Sequence, residues 1–175
     1  MKKSVKTITM TGISTAILCI LSVIAVYIGQ IPYTLALLGV FFIGGVMSPV
    51  YAGMACFCYL LIGAIGLPVF SGFTGGVGVL LGPTGGFLLA YPFMAMLLSW
   101  IRTRFKNRTA GLLIGMLLAL FLGYAFGTGW FMLTTKSTFV TGVTACVLPF
   151  FWFDGIKITL SLIILKTYTK HFFPS

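Results

Sequence analysis

The chain alternates between long apolar runs and short breaks of Gly, Pro and charge. From Thr7 to Ile101 there is no Asp, Glu, Lys, Arg or His. A helix needs about 20 apolar residues to cross a bilayer, so this stretch has room for about four crossings. The runs predict helical spans at about 8–28, 33–47, 51–66, 85–101, 110–126 and 150–167. Gly29 and Pro32 end the first, Ser48-Pro49 turns between the second and third, and Pro149 precedes the sixth. Residues 139–148 read as a short helix before that break. Between the third and fourth spans lies an uncharged segment, Gly66 to Gly86, too rich in Gly and Pro for regular helix. Backbone of that kind survives at membrane depth only when buried in protein or lining a cavity.

Composition sharpens this into an all-α membrane protein forming one domain over residues 1–175. The chain is 59% hydrophobic and 7% charged, against about 25% charged in soluble domains. Outer-membrane barrels need short strands of alternating polarity, and the continuous runs here argue for helices, which satisfy their own backbone inside lipid. A net charge of +10 would suggest nucleic acid in a soluble protein. Here the basic residues cluster at the ends of apolar runs, so no nucleic-acid partner is expected.

Those clusters orient the chain. With six spans, one side holds Lys2, Lys3, Lys6, Arg102, Arg104, Lys106, Arg108, Lys166 and Lys170, while the other holds Lys136 alone. The positive-inside rule then places both termini in the cytoplasm. The basic start followed by residues 8–28 could open a signal peptide, but 21 residues without a small-x-small cleavage pattern read better as a first transmembrane helix. The first and second groups of three spans show no sequence similarity that marks an inverted repeat.

Chemistry is sparse. Asp154 is the only carboxylate in the chain, set in the aromatic run Phe150-Phe151-Trp152-Phe153. Lys157 follows three residues later, on the same helix face. Ionisable groups inside a span are costly and are kept when they pair, line a wet cavity or bind something. Two readings stand: an ion pair that locks helices, and a polar anchor in an apolar ligand pocket. The Gly66–Gly86 segment is neither a P-loop nor a dinucleotide fingerprint; it is a tight extracellular loop, or a lid that brings backbone donors to a ligand. Cys19, Cys56, Cys58 and Cys146 sit in apolar runs and read as packing residues. One His, in the tail, leaves no catalytic or metal set, so no enzyme, cofactor or metal is expected. Gly12 and Ala16 put small residues four apart on the first span, where another helix can approach closely; internal packing is the alternative.

Gly66-Leu67-Pro68-Val69-Phe70 followed by Gly82-Pro83-Thr84-Gly85-Gly86-Phe87 resembles the BioY family, the biotin-specific S components of prokaryotic energy-coupling factor (ECF) transporters. The resemblance extends to Pro32-Tyr33-Thr34, Gly127-Thr128-Gly129-Trp130 and Pro149-Phe150 with Asp154 and Lys157. Where the family usually has Pro-Gly before the Asp, this chain has Trp152-Phe153. The resemblance implies an ECF S-component architecture of six helices in the prokaryotic cytoplasmic (inner) membrane. It also implies biotin captured from outside and docking on a T component with two ATPase subunits. It makes Asp154 and Lys157 biotin contacts and Gly12 and Ala16 a T-component contact. Phe73, Thr74, Tyr91 and Thr34 are expected wall residues. The rivals are an S component for another small vitamin and a membrane-embedded enzyme or structural assembly protein.

Overall fold

The computed structural model describes residues 2–27, 31–105 and 108–172. In chain order the elements are α1 (Lys2–Val23), β1 (Ala25–Tyr27), β2 (Pro32–Thr34), α2 (Ala36–Val46), α3 (Pro49–Ala64), α4 (Val77–Leu81), α5 (Gly85–Arg104), α6 (Arg108–Thr135), α7 (Phe139–Cys146) and α8 (Phe151–Phe172). The chain is thus mostly helical. Among the described residues α1, α5 and α6 are each long and apolar enough to cross a bilayer, and α7 with α8 adds a fourth candidate bent by 45°. The helices α2 and α3 are apolar but shorter.

The expected boundaries need four corrections. The first span stops being helix at Val23 and the second does not begin until Ala36, because β1 and β2 pair as an antiparallel hairpin, with Val26 opposite Tyr33. The β-branched and aromatic residues there suit strand, and Pro32 cannot donate the backbone hydrogen bond a helix would need. Ile28 and Gly29, the expected end of the first span, lie outside the described residues, as does Lys106. The Gly-rich segment contains the short helix α4. The fifth span runs nine residues past Phe126, through Gly127 and Gly129. Gly127 lies under Phe87 of α5, where a Cβ would collide with the ring, so there glycine serves close helix packing. Pro149 does separate a short helix from the last long one.

The core is built around α2 and α5. Val40, Phe41 and Ile43 of α2 meet Ala95 and Leu98 of α5, Tyr59 of α3 and Leu165 of α8, all fully or nearly fully buried. At Gly44 a Cβ would lie 2.8 Å from the Ala95 carbonyl, so the two helices cross in close contact. A second cluster, Ile31, Phe131, Cys146 and Phe150, lies where α6, α7 and the start of α8 meet the hairpin. Cys56 belongs to the first cluster and Cys146 to the second, and all four thiols are free. At the opposite end, Ser99 Oγ (2.6 Å) and Arg102 Nη2 (3.1 Å) donate to the Met47 carbonyl that closes α2.

Candidate binding site

The site is organised by the start of α8. The turn at 147–150 delivers the chain into the helix so that Asp154 lies in its first turn, where the helix dipole favours a carboxylate. The Lys157 side chain lies one turn on, and its Nζ donates to Asp154 Oδ1 at 2.8 Å. Tyr124, from the middle of α6, donates its hydroxyl to Asp154 Oδ2 at 2.6 Å. Asp154 is 3% and Lys157 9% exposed. A buried charge is tolerable when paired and hydrogen-bonded, and here both carboxylate oxygens have a donor. Each still has capacity, since a carboxylate offers about four acceptor sites and an ammonium three donors.

Two loops close over this pair. Tyr33 of β2 stacks on Phe150, with ring centroids 4.2 Å apart, and meets Phe153 edge-on at 5.1 Å. That contact seats the hairpin on the start of α8. The hairpin and the end of α1 are joined to the Gly-rich loop: Tyr27 Oη donates to the Ser71 carbonyl at 3.0 Å, and the Gly72 N–H to the carbonyl of Val23, the last residue of α1, at 3.3 Å. The loop itself is anchored by Phe70, fully buried against Tyr59 and over Gly63. The Gly76 N–H donates to the Gly63 carbonyl at 2.7 Å, with Gly76 at φ 97°, a conformation that favours glycine. Farther on, Trp130 Nε1 holds the Gly82 carbonyl at 3.0 Å, which fixes the approach to α5.

Between these parts lies a cavity lined by residues of α1, β2, α2, the Gly-rich loop, α5, α6 and α8, concave and mostly apolar as small-molecule sites are. Its wall is largely apolar, with Phe87, Leu88, Met94, Leu120 and Phe150, and Asp154 and Lys157 lie together in it. An acceptor and a donor 2.8 Å apart, with balanced charge and apolar surroundings, suit an uncharged polar group that has its own donor and acceptor side by side.

Of the residues singled out in the sequence, Asp154, Lys157, Tyr91 and Thr34 line this cavity. Phe73 and Thr74 do not. Phe73 is 71% exposed at φ 60°, and the Thr74 hydroxyl is turned back onto the Ser71 carbonyl. The tight turn at 70–74 faces them away and presents Ser71 instead. Sequence reasoning missed Tyr124, Ser22 and Thr84. A polar ring in the middle of an apolar span was the available signal for Tyr124.

Gly12 and Ala16 are exposed on α1 and line a separate apolar groove between α1 and α3, with Thr15, Cys19, Met54 and Cys58. Among the described residues, nothing beyond its own stretch of α1 lies within 4 Å of a Cβ built at Gly12. Thr15, between them, is buried and donates its hydroxyl to the Ala55 carbonyl of α3 at 3.0 Å, so Gly12 and Ala16 flank a point where α1 packs on α3.

Comparison with known proteins gives a consistent result. The model of the BioY family matches residues 1–173. "Biotin transporter BioY2" of Lactococcus lactis subsp. cremoris is 34% identical over 174 residues, covering 96% of each chain. "Biotin transporter BioY" of Thermotoga maritima is 34% identical over 154 residues, covering 87% of this chain and 89% of its own. Among solved structures, the S-component for biotin from an ECF-type ABC transporter superposes with a TM-score of 0.88 at 29% identity, covering 97% of this chain and 93% of its own.

Proposed function

The chain belongs to the BioY family, and from that premise we propose that it is the biotin-binding S component of an ECF transporter. It is a transport component and not an enzyme. Biotin is captured from outside in the cavity under the two loops, then delivered inward when the protein docks on a T component with two ATPase subunits. The protein lies in a prokaryotic cytoplasmic membrane as six helices with both termini inside. The sidedness of the basic clusters supports this orientation. The exposed small-residue face at Gly12 and Ala16 supports docking there, because it lets a foreign helix approach closely.

The observation that carries the reading is the buried Asp154–Lys157 pair held by Tyr124 at one point of an apolar cavity. Biotin's ureido ring offers two N–H donors and one carbonyl acceptor. Asp154 accepts an N–H and Lys157 donates to the carbonyl, without either giving up its partner. The opposite arrangement is unfavourable: it would set biotin's carboxylate beside the Asp154 charge in a low-dielectric site. Thr34 and Tyr91 belong to the wall of the site. Phe73 and Thr74 act only through the loop that carries Ser71.

The test is direct titration of the detergent-purified protein with biotin and with a panel of other vitamins, alongside mass spectrometry of whatever copurifies. Saturable binding of biotin alone is expected. Binding of a different vitamin in its place would transfer the site to that substrate.

A further inference from the structure

Biotin has a second polar end. Its carboxylate lies at the tip of a four-methylene chain, on the order of 10 Å from the ureido oxygen when extended. The charged atoms of the cavity, by contrast, are gathered at one point. Lys157 Nζ is 2.8 Å from Asp154 Oδ1, and no other charged side chain lines the cavity among the described residues. Residues 28–30, next to the hairpin, are Ile, Gly and Gln and bring no charge by composition. Lys136, which follows α6, is not among the residues that line the cavity. One end of the ligand can therefore meet a cation, and the other cannot.

The other polar groups that line the cavity are neutral, among them the hydroxyls of Ser71, Thr84 and Tyr91. A hydroxyl donates to a carboxylate oxygen or to an amide carbonyl alike. Thr84 stands at the start of α5 and makes no side-chain cap bond there. The N-terminal end of a helix favours an anion, by about fivefold when exposed and up to about thirtyfold when partly buried.

We propose that this cavity reads the ureido head and leaves the tail charge unread. Its ligand class is then ureido-headed compounds whose tail ends in a carboxylate, a primary amide or a small ester. This rests on the biotin reading and extends it. A site that held the carboxylate with a buried cation would instead reject the uncharged forms, because the cation would be left unpaired.

The experiment is calorimetric titration of the purified full chain with biotin, biotinamide and biotin methyl ester under one set of conditions. The inference predicts dissociation constants for the two neutral derivatives within about thirtyfold of that for biotin. Biotin binding with both derivatives weaker by more than that overturns the inference and leaves the biotin reading standing. Binding of none of the three overturns both. Because only the ligand changes, no outcome depends on whether a variant folds.

Discussion

The Tyr124 hydroxyl lies 2.6 Å from Asp154 Oδ2, across the interface between α6 and α8. This bond does two things. It gives the second oxygen of a buried carboxylate a donor, and it fixes the plane of that carboxylate relative to the cavity. Lys157, from the same helix as Asp154, holds only the other oxygen.

Tyr124→Phe should therefore weaken biotin binding while leaving a folded protein. A hydrogen bond to a charged group contributes about 1.5–3 kcal/mol, shared between folding and binding; if about 1.4 kcal/mol falls on binding, affinity drops about tenfold. Calorimetry on the purified variant measures it. An unchanged dissociation constant with a lowered melting temperature would make Tyr124 a purely structural partner.

The groove on α1 leads to a different expectation. Gly12 is exposed, and nothing beyond its own stretch of α1 stands within 4 Å of where its Cβ would lie among the described residues, so a substitution there starts from open space. Gly12→Trp should leave biotin affinity nearly unchanged and reduce assembly with the T component and ATPase subunits. Copurification of the tagged variant with those subunits reads this out. A normal yield of complex would remove this face from the docking surface.

How much of this was legible in the sequence depended on how local the cause was. Ser48-Pro49 marked the start of α3 and Pro149 the break before α8, because proline restricts its own backbone and that of the residue before it. Asp154 and Lys157 stood out as ionisable residues in an apolar run, and their i,i+3 spacing already placed them on one face. The hairpin at 25–34 was not legible: its residues are as apolar as a span, and what makes it a hairpin is the seat that Tyr33 finds on Phe150. The extension of α6 through Gly127 and Gly129 was hidden for a related reason. Glycine reads as a break, but here it admits Phe87. Phe73 and Thr74 were misplaced because the turn at 70–74 decides which loop residue faces inward, and a burial pattern cannot be read across a glycine-rich turn. Tyr124 needed a partner 30 residues away.

The central claim is that the Asp154–Lys157 pair binds biotin and does not merely lock α8 in place. The most direct measurement is the biotin dissociation constant of Asp154→Asn and Lys157→Met in detergent, taken with the melting temperature of each. Breaking a buried pair costs on the order of 3–5 kcal/mol, shared between folding and binding. If about 3 kcal/mol falls on binding, affinity drops roughly a hundredfold. The account predicts that loss in both variants, measured on protein that remains folded. Near-native affinity in both, with lowered melting temperatures, would contradict it and move the biotin site away from α8.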